Sequence, residues 1–538
     1  MNFFLYSVVL WFVSISCFSQ APEYEWAKGI SGNGFEVIAD IATDNQGNSY
    51  VGGYFGGSQL VIENSTYTSS GSIDSFVCKY DNFGNVLWSR KIGSVGFDLV
   101  KFVEVDSNYN VYFAGIFNQA ITINGITVVN QGLNDVFFGK YDLNGNLLWL
   151  KSYGGANNED VTSLATFTDD KICISGTYQS PTISLDTFIL SSSTYQNFIS
   201  TLNDDGSFLS AENKNFNIAD VQFDNQGNYY LAANFNAPQI DLAGSIINNN
   251  GGYDFFMAKF DNSNNLIWFK NYGSPTNDFI TDMSLNEFGD LVCLGYFGTS
   301  NLTIENINLT TNPSYNDTNR FFVKLNTANG QVDFARKVTT VSYDFSAVDI
   351  EVDSTGNIYI AGNFDGTAYV DGNAIDIFCS DCSNSKLLLQ FNPQGQFQWY
   401  KTNGPVDSTG RPLVKVNDTD DLFYSDVFSN TTYTSFDSFT LTAQGDYDGF
   451  YTKISHSNLN TINFGDESSF LYPNPTIDFL YLFDGVVAKN SEYEIYDIIG
   501  RVVSRELSVS NDKIDVRFLP AGSYFLHIGE RVYKFIKE

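Results

Sequence analysis

Carboxylates recur at fixed places in a repeated segment of this chain, and they are the residues with most scope for chemistry. Asp40, Asp220, Asp282 and Asp349 share one column, inside an apolar run that reads as a β-strand. Glu36, Asp98, Glu159 and Asp278 form a second column at the entry to that run, with Asp344 one place earlier. Two such rings could make an acidic mouth for a hard cation such as Ca²⁺ or for a polar ligand. They could equally bond backbone amides between repeats. The periodicity favours this second role, because a buried carboxylate needs a partner and a repeat supplies the same partner each time. A third column, Asp74, Asp135, Asp254 and Asp448, reads as a cap where a later strand begins. The Asp-x-x-Gly-Asn segments at Asp44, Asp224 and Asp353 lack the alternating acids and distal glutamate of a calcium loop and read as turns.

Other catalytic chemistry has little material. The two histidines, His456 and His527, lie outside the repeats, so no histidine triad or histidine-rich metal site can be assembled there. No phosphate-cradling glycine loop and no Gly-x-Ser-x-Gly elbow is present. Carboxylate-driven cleavage or elimination on a polysaccharide is the enzymatic alternative, although no pair is singled out. Cys379 and Cys382, in Cys-Ser-Asp-Cys, are expected to form a local disulfide in an oxidising compartment, since zinc would need two further ligands. Cys78, Cys173 and Cys293 fall in strand-like runs and read as small buried hydrophobes.

The elements that must hold these residues are hairpins. DSFVCKYDNFGNVLW, from Asp74 to Trp88, returns as DVFFGKYDLNGNLLW from Asp135 and DFFMAKFDNSNNLIW from Asp254, with looser copies ending at Phe334 and Trp399. Each alternates as a strand, turns, and ends on an aromatic residue. A second hairpin precedes it, as in FEVIADIATDNQGNSYVGGYF from Phe35. Strands A and B, an alternating insert, then strands C and D make one unit. Seven units follow at a period near that of Trp26, Trp88 and Trp149, which stand 62 and 61 residues apart. Four antiparallel strands per unit predict an all-β, seven-bladed β-propeller. The segment around Trp26 is a D strand without A, B or C, whereas the last unit, ending near Ile454, lacks D. The N-terminal strand is therefore expected to close the ring. Ser210 and Phe334 replace tryptophan, so the D strands of repeats three and five are expected to be the loosest. The inserts, such as ITINGITVVN from Ile121, are expected to crown one face as a binding surface.

The chain has 538 residues, 28 Lys plus Arg against 61 Asp plus Glu, and a formal net charge of −33, which repels phosphate backbones and argues against nucleic-acid binding. Residues 1–20 read as a signal peptide, and no later segment is long and apolar enough to span a bilayer. Residues 21–455 are assigned to the propeller, 456–469 to a polar linker, and 470–538 to a separate β domain.

The composite Asp-x-Phe-Val/Phe-x-Lys-Tyr-Asp-x-x-Gly-Asn-x-x-Trp, with Ile-Ala-x-Asp-x-x-Gly-Asn-x-Tyr-Val-x-Gly-x-Phe, resembles the bacterial SBBP propeller repeat from about Tyr24 to Ile454. That resemblance implies a fold and leaves the ligand open. The C-terminal segment closely resembles the type A C-terminal sorting domain of the type IX secretion system of Bacteroidetes. The matching positions are Pro473, Asn474, Pro475, Tyr496, Asp497, Gly500, Arg501, Leu519, Gly522, Tyr524, Lys534 and Lys537. It implies a small β-sandwich recognised by the export machinery. The expected protein is an exported, non-catalytic binder or scaffold whose ligand is a glycan or another protein.

Overall fold

The computed structural model describes residues 21–167, 171–298, 300–310, 319–340, 346–364, 368–370, 373–375, 385–403, 410–429, 433–436, 439–455, 470–472, 476–483, 493–497, 501–506, 513–528 and 531–537. Every regular element among them is a strand. The chain divides into two compact units, Met1–His456 and Ser457–Glu538. The signal segment, the linker, Cys379 and Cys382, and Asp344 lie outside the described residues.

In the first unit, seven antiparallel sheets run in the order A, B, C, D. Their A strands, Glu36–Thr43, Asp98–Val105, Glu159–Phe167, Asn217–Phe223, Asp278–Leu285, Ser346–Val352 and Leu413–Val416, touch one another in a closed circuit. A is therefore innermost and D outermost, as in a β-propeller. Tyr24–Gly32 supplies the missing D strand, antiparallel to Tyr447–Ile454 with Tyr24 opposite Ile454 and Ile30 opposite Gly449. The ring thus closes with strands from both ends of the repeat region.

Local chemistry explains why the hairpins form. In the first A–B turn, Asp44 Oδ1 accepts from the backbone N–H groups of Gln46 and Asn48 at 3.0 Å, and Gly47 takes a φ of 80°. The other carboxylate oxygen accepts from Tyr50 Oη at 2.8 Å and faces Lys79 Nζ at 3.6 Å, while that ammonium sits 4.7 Å from the Tyr50 ring centre. The Asp, Tyr and Lys set recurs at Asp106, Tyr112 and Lys140 and at Asp224, Tyr230 and Lys259. These aspartates are consequently turn and ion-pair residues.

The tryptophans latch one sheet to the next. Trp26, Trp88, Trp149 and Trp268 donate through Nε1 to carbonyls in the following C–D turn, at Asn82, Leu143, Asp204 and Thr327, over 2.9 to 3.2 Å. In each of these turns a glycine with positive φ lies beneath the indole, and a Cβ on Gly145 would stand 2.7 Å from Trp88. Phe334 takes the same place over Gly395, so repeat five keeps its apolar lid. Ser210 is exposed, and the turn that would lie under it carries Asn264 at φ 65° where the others have glycine.

The inserts do not sit as expected. Gln59–Ile62 pairs with the D strand of the preceding sheet, Ile62 opposite Ile30, and Ala368–Val370 does so with Val332–Thr340. Other inserts contact D strands likewise. They therefore line the outer wall, because a two-stranded hairpin has an open edge and an apolar side to cover, and the outermost strand offers both. Leu60, Ile121, Leu185, Leu302 and Ile304 are fully buried there.

The second unit holds a three-stranded sheet, Phe470–Tyr472, Phe479–Phe483 and Lys513–Asp515, and a four-stranded sheet built from Tyr493–Asp497, Val502–Glu506, Gly522–Ile528 and Arg531–Lys537. Leu480, Ile495, Ile514, Leu526 and Phe535 form their common core.

Candidate functional site

The inner strands carry a β-bulge at matching places. Register shifts fall between Ile38 and Asp40, Val100 and Phe102, Val161 and Ser163, Ile218 and Asp220, Ile280 and Asp282, and Ala347 and Asp349. A bulge re-aims the side chain that follows it. Asp40, Phe102, Ser163, Asp220, Asp282 and Asp349 therefore form one tier, opposite the small residues Gly52, Ala114, Ser175, Ala232 and Ala361 and, in repeat five, Leu294. Strand alternation places a second tier two residues on, comprising Glu104, Gln222, Ser284, Glu351 and Lys415. Both tiers except Ser284, with Lys101, Arg411 and Tyr54, line a cavity of about 260 Å³ at the centre of the ring.

Most of the first tier is committed to holding neighbouring sheets. Asp40 Oδ2 accepts from Val103 N at 2.9 Å, Asp282 Oδ2 from Ile350 N at 2.9 Å, and Asp349 Oδ2 from Val414 N at 2.7 Å. Each donor belongs to the next A strand. Asp220 instead accepts from Val221 N, Ser163 Oγ and Gln222 Nε2, at 2.7, 3.2 and 2.9 Å. In the second tier, Glu351 accepts from Lys415 Nζ at 2.7 Å and Ser284 Oγ at 3.0 Å. Lys101 pairs with Asp160 at 2.7 Å.

Burial dominates the electrostatics. It pushes Asp40 up to about 7, against the opposing pull of the Val103 amide and Lys415, and Glu104 up to about 8. Burial, then the charges of Asp349 and Asp220, hold Asp282 well above the usual carboxylate range. Burial likewise raises Glu351 and Asp220. It works against the Lys415 ammonium too, but Glu351, Glu104 and Asp40 outweigh it and keep that cation charged. Near neutral pH the cavity thus has an acid-rich, partly protonated lining with Lys415, Lys101 and Arg411 as its cations. Among the described residues, no group of three or more His, Cys, Asp or Glu side chains is arranged to hold a metal ion.

The second expected column lies elsewhere. Glu36, Asp98, Glu159 and Asp278 are almost fully buried and are not among the residues lining the cavity. Asp98 Oδ2 accepts from Ser94 N at 2.5 Å, Glu159 Oε2 from Gly155 N at 2.8 Å, and Asp278 Oδ2 from Ser274 N at 2.5 Å. The third column caps as read: Asp74, Asp135, Asp254 and Asp448 each accept from the backbone N–H four residues earlier, at 2.5 to 2.9 Å. Glu104, Gln222, Glu351 and Lys415 are absent from the sequence-based candidates because their types differ from repeat to repeat. Their signal was spacing alone, two positions beyond the aspartate column. Cys78, Cys173 and Cys293 are free buried thiols.

In the second unit Gly522 opens its strand opposite Lys537, and Lys534 stands opposite Phe525. Tyr524 stacks on Phe535 at 5.6 Å between ring centres and donates from Oη to Pro520 O at 3.0 Å. Pro473, Asn474, Pro475 and Gly500 lie outside the described residues.

Comparison with known proteins finds the following likenesses. Over 101 residues, 18% of this chain and 7% of the other, the chain is 39% identical to an uncharacterised WD repeat-containing protein of Acanthamoeba polyphaga mimivirus. It therefore spans a small fraction of that relative. Among solved structures it is similar to quinohemoprotein alcohol dehydrogenase from Comamonas testosteroni, with TM-score 0.35 and 11% identity over 85% of this chain and 79% of that one. A protein of unknown function from Bacteroides caccae gives TM-score 0.31 and 11% identity over 61% and 89%. Residues 470–538 match the secretion system C-terminal sorting domain, and the chain is exported by type IX secretion to the cell surface or the extracellular space.

Proposed function

We propose that the protein acts outside the cell as a non-catalytic binding or scaffold propeller, engaging a glycan or protein ligand, with its C-terminal domain as the tag read by the export machinery. The repeat region is read as SBBP-like and the source as a member of the Bacteroidetes. The observation that carries the non-catalytic reading is the tie from Asp40, Asp282 and Asp349 to the backbone of the next inner strand. Residues that would supply chemistry are occupied in holding the ring. The alternative, a polysaccharide hydrolase or lyase, draws on Asp282, whose carboxyl is raised well above the usual range by burial and then by the charge of Asp349.

The test incubates the purified full chain with an array of immobilised and soluble polysaccharides. Retention without new reducing ends or unsaturated products supports the binder. Product formation abolished by Asp282→Asn in a folded protein establishes the enzyme instead.

A further inference from the structure

The buried acids outside the channel face one another across the seams between sheets. Single parallel bridges join Ile73 to Phe97, Asn134 to Asn158, and Tyr447 to Phe35. The next residue on each side is an acid, which gives the pairs Asp74 with Asp98, Asp135 with Glu159, and Asp448 with Glu36. At a fourth seam, Asp278 N donates to Tyr253 O at 2.7 Å, which sets Asp254 beside Asp278. All eight side chains are at most 2% exposed. One oxygen of Asp74, Asp135 and Asp254 is taken by a backbone amide, and both oxygens of Asp448, Asp98 and Glu159 have protein donors. The other oxygen of Asp74, Asp135 and Asp254, Oδ1 of Asp278 and both oxygens of Glu36 have no protein donor. Two facing acceptors in a dry seam need a hydrogen between them.

The third seam carries no acid pair. There the same two positions are Gln196 and Phe216, and one residue further on the Asn197 amide donates to Asn217 Oδ1 at 2.9 Å. An amide supplies its own donor. A carboxyl pair can do so only by keeping a proton.

We propose that these four seams are closed by carboxylic acid pairs that each share one proton, so that the ring loosens as the medium becomes alkaline. Few other charges face them. Lys91 Nζ stands 3.2 Å from Asp74 Oδ2, Asp446 adds repulsion at Glu36, and the Tyr153 hydroxyl lies near Glu159. The electrostatics agree. Burial first, and then Asp448, lifts Glu36 to about 9, and burial lifts Asp98, Asp135 and Asp254 to about 6 and raises Asp278 and Asp448. A pKa raised by folding contributes stability that is complete below the unfolded pKa and is lost as pH climbs through the folded value. The loss therefore begins above the unfolded carboxyl value of about 4, is spent for Asp98, Asp135 and Asp254 by about pH 6, and continues through Glu36 to about pH 9.

The experiment follows thermal or urea unfolding of the full chain by tryptophan emission from about pH 5 to about pH 9. Beyond Trp11, all tryptophans belong to the propeller, so the signal reports the ring alone. The expected result is a midpoint that falls across this range. Glu36→Gln and Asp254→Asn, each of which supplies an amide donor in place of the shared proton, should flatten the fall. A midpoint independent of pH, or variant profiles that run parallel to the parent, would overturn the proposal. So would recovery of the alkaline midpoint by Ca²⁺, which would make the bridging species a cation.

Discussion

At the scale of single residues, Asp282 and Lys415 show how one cavity holds ties and charges together. Asp282 accepts from the Ile350 amide. An asparagine can reproduce that contact through its side-chain oxygen. Asp282→Asn is therefore expected to change stability by less than about 1 kcal/mol at neutral pH, whereas Asp282→Ala, which orphans the Ile350 amide, costs about 1 to 3 kcal/mol in urea unfolding. Lys415→Met leaves Glu351 and Glu104 facing each other without their cation. Because the pair is partly wet, the expected loss is about 1 to 3 kcal/mol, below that of a fully buried pair, and it should shrink on acidification as the glutamates take up protons. The aspartate tier was legible in the sequence, since the same residue type recurs at the same place. The second tier was not, because Glu104, Gln222, Ser284, Glu351 and Lys415 share only a position, and the bulge that fixes which way they point is a property of paired strands.

At the scale of elements, the tryptophan of one repeat and the glycine of the next form a single device. Trp88 covers Gly145, whose φ of 74° suits glycine and whose missing side chain leaves room for the indole. Gly145→Ala should thus cost about 1 to 3 kcal/mol by combining backbone strain with a displaced ring. Where the indole is missing, at Ser210, the facing position is Asn264, and Asn264→Gly alone should be nearly neutral. The double variant Ser210→Trp with Asn264→Gly is expected to install a further latch and to raise the urea midpoint above that of either single change. The correlation between Ser210 and Asn264 is present in the sequence, but its meaning needs the contact between sheets. The sequence reading also misplaced the inserts. Their alternation correctly marked hairpins, yet only the open edge of the D strand decides where a hairpin comes to rest.

At the scale of the whole molecule, the opening strand and the last repeat depend on each other. Removing residues 21–32 leaves the Tyr447–Ile454 strand with an unpaired edge and the first sheet without the Trp26 lid. The expected outcome is loss of the monodisperse species on size-exclusion chromatography and of a cooperative tryptophan melt. Deleting residues 470–538 should leave the propeller melt unchanged and stop delivery to the cell surface or medium, which fractionation of the producing cell would show.

Composition, repeat length, turn residues and the surplus strand at one end against the deficit at the other were enough to determine an all-β closed array with a separate C-terminal domain. These are matters of local backbone preference and strand counting, and a linear text records them. Tertiary structure alone decided which acids face the channel, which cap turns and which meet in dry seams. Glu36 and Asp448 stand at opposite ends of the repeat region, and they become neighbours when the ring closes. Whether a carboxyl group binds an amide, pairs with a lysine or keeps a proton depends on the atoms within a few ångströms, and closure of the chain supplies those atoms.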